Sequence, residues 1–294
     1  MPHTISYVIP ESLDGQTVQT FLRRECGMSW RMVVKLKRVE NGILLDGVHV
    51  RTIDPIHAGQ TLQVTMPEDN VRIEGADIPL DIVYEDDDIL VINKPSFLAV
   101  HPSAGKPDPT LANAVVAYYE QAGKPLSFRP LNRLDRNTSG LLLAAKHPHA
   151  AFAMRCAAKK RYYAVVCGEL HGSGTIDQPI RVKEGCTITR EVGECGKDSV
   201  THWEALSTNG RFTLLSVVID TGRTHQIRVH MSWLGYPLAG DTMYGVDESV
   251  ARHALHCADM QVEHSLTGET LSLHAPFPAD LREWLEKEDI ICPP

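Results

Sequence analysis

The period of the apolar positions changes several times along the chain, and the changes divide it into segments. Between residues 11 and 68, Leu13, Val18, Phe21 and Leu22 fall at helical spacing, and Trp30, Val33, Val34 and Leu36 repeat the pattern. Ser29 stands where it would cap the second helix. Two strand-like runs follow: ILLDGVHV, in which Asp46-Gly47 suits a hairpin turn, and TLQVTMP after Ala58-Gly59. The polar stretch Pro67 to Asp77 has no apolar period and predicts a linker. The spacing thus predicts a small unit over residues 1–68, a linker over 69–80 and a larger unit over 81–294.

Strand-like runs dominate the larger unit. LDIVYEDDDILVINK predicts two strands around an acidic turn, and LLLAAK, YYAVVCGEL, FTLLSVVID and QIRVHM predict further strands. LANAVVAYYEQAG and HAAFAMRCAAKKR predict the intervening helices. Adjacent strand pairs mixed with helices predict an α+β fold on a mixed, largely antiparallel sheet. No internal repeat and no low-complexity segment interrupts this order.

Composition narrows the class. A chain of 294 residues suits two domains, and 43% hydrophobic with 22% charged residues is ordinary for a globular protein. No run reaches the ~18 apolar residues of a membrane span, and MPHTISYVIPES lacks a basic then apolar signal pattern, so a cytoplasmic protein with no membrane partner is expected. Cys26, Cys156, Cys167, Cys186, Cys195, Cys257 and Cys292 contain no CxxC pair, which counts against a disulfide framework or a zinc knuckle. His253-Ala-Leu-His256-Cys257 comes nearest to a metal motif, but its spacing does not bring three ligands to one face, and no metal is expected.

The formal net charge of -8 opposes binding to nucleic acid as a whole. Locally, however, Arg23 to Arg38 and Arg155 to Arg161 are strongly basic, while acidic residues gather in YEDDD and REWLEKED. The basic runs are either solvated helix faces or patches for phosphate.

The candidate chemistry centres on NRLDRNTSG, residues 132 to 140, where Asp135 lies between Arg133 and Arg136. Flanking guanidinium groups favour an ionised carboxylate. These residues alone fit a salt-bridged turn better than they fit a carboxylate kept anionic for nucleophilic attack. Ser139 offers a hydrolase nucleophile with His225 as base, but TSGLLL lacks the GxSxG elbow that exposes such a serine.

Four stretches, taken in order, discriminate between these readings: NKPSFLAVHPS (Asn93 to Ser103), RPLNRLDRNTSGLLLAAK (Arg129 to Lys146), KKRYYAVVCG (Lys159 to Gly168) and TGRTHQIRVHMSWLGYPLAGDTMYG (Thr221 to Gly245). Together they are similar to the RluA family of pseudouridine synthases, over roughly Asp81 to Pro276. The helix, helix, hairpin order ahead of them resembles the S4 RNA-binding domain that one branch of that family carries. The departures are Asn132, where the family most often has His, and Asn137, where Asp is common. Neither removes a charged group, so they bear on the positioning of the loop.

The resemblance implies Asp135 as the catalytic nucleophile, Arg228 as the guanidinium paired with it, and Arg133 as the side chain that fills the space of a flipped-out base. It also implies that Tyr162, rather than Tyr163, stacks on the target uracil, with Arg223 a second basic group nearby. Lys94 and His101 are candidates for approach to the substrate backbone, or for a solvated loop. His225 and His230 alternate with Ile227 and Val229 as if along a strand, in structural or RNA-facing roles, and LGYPLAGD reads as a tight turn.

The chemistry accounts for these residue types. Isomerising uridine to pseudouridine breaks the N1–C1′ bond, turns the base and joins C5 to C1′. A carboxylate attacking C1′ or C6 divides one hard step into easier ones, and a neighbouring guanidinium keeps it ionised in a partly dry pocket. The base has to leave the stack and rest on an aromatic face. With no redox change or net hydrolysis, neither a metal nor an organic cofactor is required. The expected partner is structured RNA, large-subunit ribosomal RNA first and transfer RNA second, bound by a monomer. The alternative from another class is a non-catalytic RNA-binding assembly factor.

Overall fold

A computed structural model describes residues 4–28, 30–65, 73–102, 108–123, 128–154 and 158–292. The expected cap Ser29, the linker up to residue 72, Ser103, and Arg155 with Cys156 of the second basic run lie outside these residues. The chain divides into two compact units. One comprises Met1–Arg72 with Lys146–Ala153, and the other Ile73–Ala145 with Met154–Pro294.

In the first unit, β1 (Thr4–Val8), β2 (Ile43–Leu45), β3 (Val48–His49) and β4 (Thr61–Thr65) form a sheet in the order β1-β4-β2-β3. The β2–β3 hairpin turns through Asp46 and Gly47, both at positive φ (49° and 79°), as the Asp-Gly pair predicts. The first expected helix is broken into a 3-10 turn at Glu11–Leu13, a short α turn at Val18–Thr20 capped by Thr17, and a π turn at Phe21–Glu25. The second runs over Trp30–Leu36. Val18, Leu22, Val33, Leu36, Leu62 and Val64 are buried in one core, and Phe152 of the helix Pro148–Ala153 packs against it.

The second unit is built on β5 (Ile82–Glu85), β6 (Ile89–Lys94), β7 (Arg129–Pro130), β8 (Ser139–Ala145), β9 (Ala158–Cys167), β10 (Ser173–Asp177), β11 (Ile180–Val182), β12 (Arg190–Val192), β13 (Val200–Thr208), β14 (Phe212–Ile219), β15 (Leu255–Glu263) and β16 (Thr270–His274). Among the described residues the main sheet has ten strands, ordered β10-β13-β14-β9-β15-β8-β6-β5, with β16 beside β15 and β7 beside β8. Its pairings are antiparallel except β8 with β15. This is the mixed, largely antiparallel α+β architecture expected. The separate pair β11–β12 forms a small ribbon.

Central strands of this sheet are covered on both faces, so they read as nearly continuous apolar runs. All seven residues of β8 are buried. Along β9, Tyr162, Ala164 and Val166 enter the main core with the helix Leu111–Gln121, while Val165 joins a second core with Leu281, Trp284 and Leu285 of the helix Ala279–Lys287. That alternation is the period of two expected of a strand. Gly140, at φ 109°, permits the β8–β15 contact: a Cβ there would collide with the Cys257 backbone.

Two expected elements differ. QIRVHM is not a strand but the start of the helix Gln226–Trp233. In a run this short, apolar residues at alternate positions also satisfy helical spacing: Ile227 and Met231, four apart, both enter the main core. The helix expected across HAAFAMRCAAKKR ends at Ala153, and Ala158 onward is already β9.

Candidate active site

The buried run of β8 fixes the turn that precedes it. Thr138 N donates to Asp135 O at 3.1 Å, closing the turn, and Asn132 Oδ1 accepts from Leu143 N at 2.7 Å while its amide donates to Leu141 O at 3.3 Å. Asn132 therefore splices the loop onto the strand. Behind the turn, Thr138 Oγ1 meets His253 Nε2 at 2.8 Å and Ser139 Oγ meets His256 Nδ1 at 2.9 Å. Arg252, fully buried, donates to Asn137 O and Ser139 Oγ while its Nε reaches Asp280 at 2.7 Å. Both histidines are deep enough that burial holds them neutral, His253 pushed down to about 3 and His256 to about 4. The RHALHC run, which resembled a weak metal motif, is thus a brace for residues 137–139.

Asp135 lines a cleft of about 510 Å3 together with Arg133, Tyr162, Arg223, His225 and Arg228. The helix Gln226–Trp233 delivers Arg228, whose Nη1 lies 3.1 Å from Asp135 Oδ2. The same guanidinium grips Asp241 with two bonds, Nε to Oδ2 at 2.7 Å and Nη2 to Oδ1 at 2.9 Å. Burial alone would raise the Asp241 carboxyl, but hydrogen bonds and charge from Arg228 outweigh it and hold it below its usual range. Burial likewise works against the Arg228 cation, and Asp241 and then Asp135 more than offset it. Arg228 also lies 5.0 Å from the centroid of the Tyr244 ring.

His225 precedes the helix in a left-handed conformation, φ 58°. The Tyr244 hydroxyl accepts from Arg190 N at 2.9 Å and shares a second hydrogen bond with His225 Nδ1 at 2.8 Å. The other ring nitrogen, Nε2, lies 3.9 Å from Asp135 Oδ2. Burial disfavours the imidazolium although Asp135 favours it, and the net shift is downward.

Of the sequence candidates, the structure brings Asp135, Arg133, Tyr162, Arg223 and Arg228 to one cleft. Tyr162 is almost fully buried, and burial pushes its phenol well above the usual range, so it stays neutral. Tyr163 points to the other face of β9, stacked on Phe277 at 5.2 Å. Lys94, expected to approach substrate, turns inward instead. Its Nζ donates to Pro95 O, Leu98 O and Arg136 O at 2.7, 2.9 and 3.2 Å, matching the three protons of an ammonium, while burial pushes its pKa down to about 7. His101 is exposed beside Phe128 and is not among the cleft residues.

Asp241 was not legible as a site residue, and His225, read as structural or RNA-facing, lies in the cleft. LGYPLAGD does form the expected turn, and Gly240 needs it, since a Cβ there would strike the Arg252 carbonyl, but the turn also delivers a buried carboxylate. The hydrolase reading fails: Ser139 is 1% exposed and its histidine partner is His256, not His225. Among the described residues, the cluster Asp86, Asp88 and His264 brings three donor atoms within 4.8 Å. Asp86 there accepts from the Asp88 and Ile89 amides and the Tyr84 hydroxyl, the pattern of a capped turn. No helix among the described residues is long and apolar enough to cross a membrane.

Comparison with known proteins agrees with this geometry. A family model described as RNA pseudouridylate synthase matches residues 88–233. The Bacillus subtilis protein named "Uncharacterized RNA pseudouridine synthase YjbO" is 37% identical over 274 residues, covering 90% of this chain and 97% of its own. Ribosomal large subunit pseudouridine synthase D of Vibrio parahaemolyticus is 41% identical over 241 residues, covering 75% and 74%. The solved structure of human RNA Pseudouridylate Synthase Domain Containing 1 superposes with a TM-score of 0.57 at 28% identity, covering 70% of this chain and 87% of that one. A carboxylate held by a buried guanidinium in the wall of the cleft, on a sheet of this topology and with these relatives, places the chain in the RluA family of RNA pseudouridine synthases.

Proposed function

We propose that the enzyme converts uridine to pseudouridine in large-subunit ribosomal RNA with Asp135 as its nucleophile. The observation that supports this reading is the Asp135–Arg228–Asp241 chain at the wall of the cleft. Arg228 is the right partner because a guanidinium does not give up its proton, so it favours the carboxylate without competing as a base. The choice of ribosomal RNA follows the Vibrio parahaemolyticus relative, a ribosomal large subunit pseudouridine synthase.

In this mechanism the target uridine leaves its helix, Arg133 takes up the vacated space, and the uracil rests on Tyr162, an aromatic contact worth about 1–3 kcal/mol. Asp135 attacks C1′ or C6. The N1–C1′ bond breaks, the base turns, the C5–C1′ bond forms, C5 loses its proton, N1 gains one, and the carboxylate is released. Tyr162, held neutral by burial, offers a ring without a charge that would repel Asp135. His225 Nε2 faces the same space, and Arg223 supplies charge for the RNA backbone.

The first unit acts as the RNA-binding module, S4-like in its order of elements. Arg23, Arg24, Lys35, Lys37 and Arg38 are exposed on it. The enzyme works as a cytoplasmic monomer.

The test is tritium release from C5-labelled uridine in unmodified ribosomal and transfer RNA transcripts, wild type beside Asp135→Asn. Release from the ribosomal transcript by wild type alone is the expected result, with RNA affinity of the variant preserved, because the amide keeps the shape but is not a nucleophile. Turnover by Asp135→Asn would overturn the assignment of the nucleophile, and release only from transfer RNA would overturn the choice of target.

A further inference from the structure

Phe97 is an aromatic residue in a backbone state that suits glycine. Its φ is 63°, in the left-handed region, where a bulky side chain is a genuine outlier. Its side chain is nonetheless 49% exposed, so burial does little to offset the strain. If the turn were all that mattered here, glycine would serve better.

The strained conformation is enforced from beneath. Lys94 Nζ draws in the carbonyls of Pro95 and Leu98, and Arg136 Nε donates to the carbonyl of Phe97 itself at 3.2 Å. Lys94 also holds Arg136 O, so the loop of Phe97 and the turn of Asp135 are fastened into one piece. The backbone that carries this exposed ring is therefore tied to the turn of the nucleophile. Arg136 beside it is 58% exposed, and its contact with Asp108 is a long, solvent-facing one of 3.8 Å. Arg133, exposed as well, lines the cleft. An exposed aromatic face beside exposed guanidinium groups is the chemistry that binds unpaired nucleotides, the ring taking a base and the cations its phosphates.

We propose that Phe97 is a stacking platform for an unpaired base of the substrate RNA next to the target uridine, and so a determinant of which sites the enzyme accepts. The proposal rests on the reading of Asp135 as the catalytic centre of an RNA-modifying cleft, and it specifies how that cleft holds the RNA around its target. The strain at Phe97 is the observation that motivates it, since the ring is kept where the backbone alone would discard it.

The strain also makes the test decisive, because removing the ring relaxes the backbone. The variants are Phe97→Gly and Phe97→Trp. The readouts are filter-binding affinity for the unmodified large-subunit ribosomal transcript over a range of salt, the urea midpoint, and tritium release. Expected for Phe97→Gly is an affinity lower by about 5- to 150-fold, the range for loss of one base–aromatic stack, at an unchanged salt slope and with a urea midpoint equal to or above that of wild type. Phe97→Trp keeps wild-type affinity. Affinity of Phe97→Gly within twofold of wild type overturns the proposal, and so does a lowered urea midpoint, which would give the ring a structural role. Absence of tritium release by wild type, with the affinity loss present, would instead strike the catalytic reading and leave the platform standing.

Discussion

One guanidinium, Arg228, serves two carboxylates unequally. Asp241 takes two short bonds and is 1% exposed, whereas Asp135 takes one longer bond and faces the cleft. Asp241 thereby sets the plane of the guanidinium, and Asp135 remains free to form a bond to carbon. Asp241→Asn keeps the shape but leaves a buried cation short of its charge, which should lower stability by about 3–5 kcal/mol. Per folded molecule, kcat should fall by up to about 100-fold, the penalty for a reacting group displaced by ~1 Å, while KM changes little. Urea unfolding with tritium release at saturating RNA checks both, and an unchanged kcat would show that Arg228 keeps its aim unaided. The motif made Asp135, Arg228 and Tyr162 legible in the sequence because their spacing is distinctive. Asp241 was hidden inside a run whose Pro and Gly announce only a turn. Lys94 was misjudged because a lysine reads as exposed unless three carbonyls converge on it, and convergence is a tertiary fact.

At the scale of elements, β8 and β15 matter most, since they pair in parallel where the Asp135 turn enters β8. The apolar run of β8 was plain in the sequence. The brace from Arg252, His253 and His256 was not, because it joins residues far apart in the chain through hydroxyl and carbonyl partners. It has a consequence in acid. With folded values near 3 and 4 against about 6.5 unfolded, the unfolded chain binds more protons than the native one between pH 6.5 and 4. Stability is therefore complete above about pH 6.5 and falls on acidification, by about 1.4 kcal/mol per pH unit for each histidine. Urea midpoints measured from pH 7 to 4.5 should follow that slope, and His256→Asn, which keeps an acceptor for Ser139, should remove about half of the part due to these residues. A flat profile in wild type would mean that the brace is protonated in the native state.

At the scale of the molecule, the formal charge of -8 conceals a segregated distribution. Arg23, Arg24, Lys35 and Lys37 are exposed within the N-terminal unit, with Lys37 Nζ 5.5 Å from the half-exposed Trp30 ring. If these cations meet phosphates, replacing all four by Ala should make the dependence of log affinity on log salt shallower by about 3, at roughly 0.7–0.9 per phosphate contact. Tritium release from a short RNA that spans only the cleft should be preserved. An unchanged salt slope would remove these residues from the RNA-binding surface.

The helix Pro148–Ala153 contributes Phe152 to the core of the N-terminal unit, so that unit is assembled from two separate lengths of chain. Its buried core, from Ile5 to Val64, is complete in the chain by residue 72, but the half-buried Phe152 that packs against it is not yet there. The ribosome has to deliver residue 153, about half of the polypeptide, before the last apolar side chain arrives. An N-terminal fragment on its own should accordingly leave the apolar surface beneath Phe152 bare, and it should transplant better with its second segment than without it.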